Sequence, residues 1–242
     1  MSHKLAIMQP YFFPYLGYFQ LINQCDHFIL YANVTFRKKS FITRNHLLDA
    51  NGKREDINVF VKKASSNSRI VDIELVEGDW KRKLSKKVRT MYARAEFFDE
   101  VFPVIQACIE DDINTLHGYN ARSIQQLCQF LEIDTTLTIE HQHLDFVEDK
   151  LKPQDVLPAS TQRIIHLCQA MEIDTYCNPE GGVDLYDKAT FAENGLNLQF
   201  FKAGLQGVEA KRPQDPYSSI IDVLMHNGKQ ATQRMLNDGH FF

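Results

Sequence analysis

The chain reads as an α/β protein with a largely parallel sheet flanked by helices, and three observations predict this. Short apolar runs alternate with amphipathic stretches along most of its 242 residues, the order that builds strand–helix–strand units. One helix–turn–strand pattern occurs twice, as SIQQLCQFLEIDT at Ser123–Thr135 and RIIHLCQAMEIDT at Arg163–Thr175. Two copies are too few for a solenoid, so they read as two αβ units sharing one sheet. Finally, the chain opens on an apolar strand that runs through a turn rich in Pro and Tyr into a helix.

That opening stretch, IMQPYFFPYLGYFQLIN at Ile7–Asn23, organises the rest. Lys4–Met8 is a short apolar strand and Leu16–Cys25 a helix. In open α/β folds the crevice at the carboxyl end of the strands, where helix N–H groups point, is where ligands sit. Pro10 and Pro14 stiffen the backbone there, and Gln9 and the tyrosine hydroxyls offer hydrogen bonds from a rigid wall. The same residues also suit a packed aromatic corner with a purely structural role.

Further along, Asp26–Val34 is a second strand, apolar through its middle and hence central in the sheet. Arg37–Leu48 is a basic segment carrying RKK and TRNH, and Asn51-Gly52 marks a turn. Asp56–Val61 and the alternating Ile70–Val76 read as strands. Asp79 is placed to cap a basic helix from Trp80 to about Met91. Phe97, Phe98 and Phe102 serve to dock the next helical segment. Ile105–Thr115 and Arg122–Leu131 have helical period, and Thr135–Glu140 is a strand. The prolines of Lys150–Pro158 suggest a sub-domain hinge within a single domain spanning 1–242. Asn178–Gly182 (NPEGG) follows a strand, where glycines permit either a ligand's close approach or a plain turn. A helix at Leu185–Asn194, a strand at Leu196–Phe201 and a helix at Ser219–His226 complete the pattern.

Composition narrows the function. A net charge of −4 argues against bulk neutralisation of nucleic-acid phosphates, although Arg37–Lys39 and Lys81–Arg89 leave room for a small anion. The one uncharged window long enough for a membrane span, Leu5–Cys25, is broken by Pro10 and Pro14 and is not apolar throughout. The five cysteines form no C-x-x-C pair and are odd in number, which fits reduced thiols in a cytoplasmic protein. Cys128 and Cys168 fall in apolar helix rows, as inert core thiols do. His141 and His143 have a spacing that can hold zinc, but no third ligand sits at a matching interval. A metal is therefore not expected, and the sequence identifies no cofactor. Ser219 to Asp222 resembles a capping box, which competes with a role for Asp222 as general base. Because an unperturbed histidine titrates near neutrality, His226 is an alternative base.

Taken together these pieces resemble the WbqC-like protein family, found among bacterial surface-polysaccharide (O-antigen, lipopolysaccharide) genes. The residues that carry the resemblance are MQPYFFPYLGYFQLI at Met8–Ile22, Arg44-Asn45, LYD at Leu185–Asp187, Pro213-Gln214, SIIDVL at Ser219–Leu224 and Asn227-Gly228. The family's second strand tends to end in acidic residues, whereas here it ends Tyr-Ala-Asn-Val at Tyr31–Val34, which removes a carboxylate from that turn. A more distant likeness is to nucleotidylyltransferases. There H-x-G-H occupies the first strand-to-helix turn, the place of Tyr15-Leu16-Gly17-Tyr18 here, and suggests a Rossmann-like core. A phenol brings no positive charge to a phosphoryl transition state, so adenylyl transfer by that route is disfavoured.

The resemblance implies a transferase of surface-polysaccharide synthesis that moves an acyl or aminoacyl group onto a nucleotide-linked amino sugar. Its partners would be that nucleotide sugar and an acyl donor or acyl carrier protein. The alternatives are a nucleotidylyltransferase with a Tyr-modified motif and a non-catalytic glycan-assembly protein. The expected substrate-binding residues are Gln9, Tyr11, Tyr15, Gly17, Arg44, Asn45, Tyr186, Ser219 and Asn227. Arg44 would clamp a diphosphate, and Asp222, His226 and Tyr18 are the expected catalytic residues.

Overall fold

The computed structural model describes residues 3–65, 67–139, 147, 149–151, 157–211 and 215–242. His141, His143, Pro213, Gln214 and most of the 150–158 segment lie outside the described residues. The strands are β1 (Lys4–Met8), β2 (His27–Leu30), β3 (Arg44–Leu48), β4 (Arg54–Asn58), β5 (Thr136–Thr138), β6 (Thr175–Pro179), β7 (Asn197–Lys202) and β8 (His240–Phe241). The helices are α1 (Leu16–Asn23), α2 (Trp80–Tyr92), α3 (Phe98–Glu110), α4 (Leu116–Phe130), α5 (Ala159–Ala170), α6 (Lys188–Glu193), α7 (Gln206–Lys211) and α8 (Ile220–Met235).

The main sheet has the order β5-β2-β1-β6-β7-β8. Its first five strands are parallel and β8 is antiparallel. Strand residues alternate between two cores, as a period of two requires. Ala6, Phe28, Leu30, Cys177 and Phe201 face one core, with α1, α3, α4 and α8. Leu5, Ile29, Tyr176, Leu198 and Phe200 face the other, with α5 and α6. The result is a sheet covered by helices on both faces, the arrangement that lets parallel strands be apolar throughout.

The repeated pattern is a shared helix ending. After α4, Glu132 adopts φ 56°, and after α5, Glu172 adopts φ 55°. In both copies the next isoleucine N–H reaches back to a cysteine carbonyl, Ile133 to Cys128 and Ile173 to Cys168, each at 2.9 Å. This left-handed cap turns each chain from helix to strand. One copy delivers β5 beside β2, the other β6 beside β1.

Several expectations are corrected. Arg44–Leu48, read only as basic, forms an antiparallel hairpin with Arg54–Asn58 around Asn51-Gly52. Ile70–Val76 is a 3₁₀ turn at Ile70–Asp72 followed by isolated bridges rather than a strand. Its alternation holds only from Asp72 on, where Ile73 and Leu75 are buried and Asp72, Glu74 and Val76 are exposed. Its N–H groups, however, go to separate loop carbonyls at Val34, Ala32 and Asn114. Helix α3 starts earlier than its period suggested and contains Pro103 in its interior. Asp79 precedes α2 without a capping side-chain bond and pairs with Lys83 at 3.0 Å. All five cysteines are free and buried. Burial pushes the Cys108, Cys128 and Cys168 thiols up to about 12, which keeps them protonated and inert.

Candidate functional site at the switch point of the sheet

Numbered in chain order, the five parallel strands lie 3-2-1-4-5, so the order reverses between β1 and β6. A crevice opens at the carboxyl ends of the strands at such a point. Here it contains two adjoining chambers. The first, of about 510 Å³, is bounded by Met8, Gln9, Tyr11, Tyr31, Arg163, Tyr176, Asn178 and Tyr186 among others. The second, of about 400 Å³, is bounded by Pro14, Tyr15, Phe41, Asn45, Glu180, Phe201 and Tyr217 among others. Met8, Tyr11, Pro179 and Gly181 border both.

The opening turn between β1 and α1 forms one wall, and its shape is enforced from outside. Phe13 sits at φ 42°, a conformation that strains an aromatic residue and persists only when its surroundings hold it. Five carbonyls of the turn have assigned partners. Tyr18 Oη donates to the Gln9 carbonyl at 2.9 Å. The buried Asn120 amide donates to the Pro10 carbonyl at 2.8 Å. Asn45 Nδ2 donates to the Phe12 and Phe13 carbonyls at 3.0 and 2.6 Å. Ser219 Oγ also donates to the Phe13 carbonyl, at 2.9 Å, and the Ile220 N–H meets the Pro14 carbonyl at 3.0 Å. Residues far apart in the chain thus converge to hold this turn, and the turn presents Gln9, Tyr11 and Tyr15 to the chambers.

This sorts the expected site residues. Gln9 and Tyr186 border the first chamber, Tyr15 and Asn45 the second, and Tyr11 both. Asn45 spends its amide on the turn, so its work is positioning. Tyr18 is buried and Gly17 is a packing site, where a Cβ would lie 2.4 Å from the Tyr15 ring and 2.6 Å from Ala203 Cβ. Ser219 holds Phe13 and caps α8, accepting from the Ile221 N–H at 3.3 Å. Asn227 is buried, its amide donating to the Val223 carbonyl at 2.8 Å. Arg44 is exposed on β3 and, like the neighbouring Lys38 and Lys39, borders neither chamber.

Asp222 and His226 form a separate cluster. Asp222 is fully buried; its Oδ1 accepts from Tyr92 Oη at 2.9 Å and its Oδ2 from Ser218 Oγ at 3.3 Å. His226 Nε2 lies 3.7 Å from Asp222 Oδ1, with its ring edge-on to Tyr92. Neither residue borders a chamber, so Asp222 does not reach the opening turn as expected of a base acting there.

Arg163 at the crevice carries no sequence signal of its own, whereas Asn178 belongs to the NPEGG stretch. Arg163 lies on α5 with its guanidinium 5.6 Å from the Tyr31 ring centre. Asn178 donates to Tyr176 Oη at 2.7 Å. On the hairpin, His46 Nε2 and Arg54 lie 2.5 and 2.9 Å from the buried Asp215, whose carboxylate also accepts from the Tyr217 N–H at 3.2 Å. That cluster fastens the hairpin to the loop bearing Tyr217.

The electrostatics of the two chambers differ. Among the described lining residues, Arg163 is the charged residue of the first and Glu180 that of the second. Tyr11, Tyr15 and Tyr186 stay neutral. Burial pushes Tyr15 up to about 12, helped by Tyr217 and Glu180, and burial raises Tyr11 as well. Burial also raises Tyr186, against the lowering influence of Arg163. Neutral phenols donate hydrogen bonds, so the crevice combines flat apolar walls with a few convergent polar groups, as ligand pockets do.

With this geometry in place, comparison with known proteins assigns the chain. The model of the WbqC-like protein family matches residues 9–234. The chain belongs to the WbqC-like protein family. A WbqC-like relative of similar length, the uncharacterized protein Rv1507c of Mycobacterium tuberculosis, is 24% identical over 234 residues, covering 94% of this chain and 95% of its own. No solved structure matches the chain, so the likeness to nucleotidylyltransferases rests on spacing alone. Among the described residues no group of three His, Cys, Asp or Glu side chains is arranged to hold a metal, and no helix is long and apolar enough to cross a membrane.

Proposed function

We propose that this WbqC-like protein is a cytoplasmic transferase of bacterial surface-polysaccharide synthesis that adds an acyl or aminoacyl group to a nucleotide-linked amino sugar. The observation that carries the reading is the first chamber: a cleft at the switch point, walled by tyrosines, with a guanidinium as its charged group. A nucleotide needs that combination, flat surfaces for the base and a planar cation for the diphosphate. Arg163 takes the clamping role for which Arg44 was expected. Gln9, in the first chamber, and Tyr11, which borders both, are the donors for the oxyanion that forms as the amine attacks the acyl carbonyl. Glu180 borders the neighbouring chamber and is the carboxylate available to the amine and its departing proton. An acyl donor, free or on a carrier protein, completes the reaction: collapse of the tetrahedral intermediate breaks the acyl–carrier bond, and the released carrier leaves with the proton taken from the amine.

Thermal shift tests the first requirement. A nucleoside diphosphate at ~100 Kd stabilises the native state by about 2.7 kcal/mol. Stabilisation by nucleoside diphosphates or their sugars, lost in Arg163→Ala, is the expected result. Equal stabilisation of Arg163→Ala and wild type, or none in either, sinks the reading.

A further inference from the structure

We infer that the second chamber is the site of the hexose ring, so that a bound nucleotide sugar runs from Arg163 past Tyr11 and ends among Phe41, Tyr15 and Tyr217. This deepens the nucleotide-sugar reading and rests on it.

Of the rings bordering the chamber, Tyr11 and Tyr15 are packed against the core and Phe41 and Tyr217 are exposed. Tyr11 and Phe41 lie 5.8 Å apart with planes at 48°, and Tyr15 and Tyr217 5.5 Å apart at 50°. Phe41 is 61% exposed and Tyr217 56% exposed, among the most exposed large apolar side chains of the described residues. Single exposed apolar residues are ordinary, but two that border the same cavity form an apolar surface left wet until something covers it.

Charge restricts what that is. The described lining residues of this chamber include the Glu180 carboxylate and no Lys, Arg or His, so a phosphate is repelled there and drawn to Arg163 instead. The occupant is therefore uncharged or cationic, and has one apolar face to lie on a ring. A pyranose meets both conditions: its axial C–H bonds present an apolar face while its hydroxyls, or an amine, point outward to polar groups. Asn45 supplies little of that recognition, since its amide is engaged by the Phe12 and Phe13 carbonyls.

Gly181 keeps the two chambers in communication. It borders both, and a Cβ built there would meet no atom within 4 Å. A side chain at this position extends into open space without disturbing the fold.

Calorimetric titration of wild type, Tyr217→Ala and Phe41→Ala, both residues bordering the second chamber and not the first, tests the assignment, using UDP with UDP-glucose, GDP with GDP-mannose, and dTDP with dTDP-glucose. In at least one pair the sugar conjugate is expected to bind wild type roughly 3- to 10-fold tighter than the bare diphosphate, the scale of one or two ring contacts. Both variants are expected to lose that increment while holding bare-diphosphate affinity within about twofold. A conjugate no tighter than its diphosphate, or variants that weaken both ligands equally, overturns the assignment while leaving the nucleotide reading standing. Failure of every bare diphosphate to bind wild type removes the nucleotide reading itself, and the sugar site with it.

Discussion

The opening turn and the Ser219–Gly228 segment carry similarly distinctive sequence, yet they meet the crevice differently. From the opening turn, Gln9, Tyr11 and Tyr15 border the chambers. From Ser219–Gly228 no side chain does; Ser219 holds the Phe13 carbonyl, Asp222 is enclosed with Tyr92, and Asn227 bonds within its helix. A distinctive stretch reports constraint, and constraint arises as readily from holding a strained turn as from touching a ligand. Even within the opening turn, Phe12, Phe13, Gly17, Tyr18 and Phe19 are buried in the core.

Mutations can break or sharpen this contrast. The largest effect belongs to Gly228, at φ 68° and ψ 177°, a region essentially reserved for glycine, with a Cβ position 2.5 Å from the Phe97 ring. Gly228→Ala is expected to cost roughly 3 kcal/mol or more of stability in urea denaturation. Next, Asp222→Ala strips the Tyr92 and Ser218 hydroxyls of their buried acceptor and is expected to cost about 2 kcal/mol. Its affinity for a nucleoside diphosphate should stay within about twofold of wild type, because Asp222 borders neither chamber. A large affinity loss in folded Asp222→Ala would return that carboxylate to the site. The smallest effect is Tyr18→Phe. It frees the Gln9 carbonyl, with an expected stability cost of about 1 kcal/mol and only a mild loss of affinity transmitted through Gln9. An affinity loss comparable to that of Arg163→Ala would mean that the phenol itself contacts ligand.

Much of the frame was legible in the sequence. The short apolar run located β1 to the residue, and the shared pattern around Cys128 and Cys168 announced two equivalent helix–strand joints. The hairpin was missed because Arg44–Leu48 shows no clean alternation: Asn45, Leu47 and Leu48 are all buried. The site was legible only in part. Gln9, Tyr11, Tyr15 and Tyr186 are polar aromatics or amides beside turns, a pattern visible locally. Arg163 has no such pattern, since it heads the second repeat copy and becomes significant only because α5 lies against the crevice. Arg44 drew attention for its charge and faces solvent, because the strand that carries it turns Asn45 inward instead.

Gln20 has a mechanical consequence. Its buried amide takes the Gly204 carbonyl and the Met235 carbonyl, both at 2.7 Å, while its Oε1 receives the Gly204 N–H at 3.0 Å. One side chain thereby rivets α1, the exit of β7 and the end of α8 together. The back of the second chamber, at Phe201 and Ala203, is clamped to the opening turn without help from any ligand. On that side a ligand meets a surface already in its final shape and spends little of its affinity on ordering it.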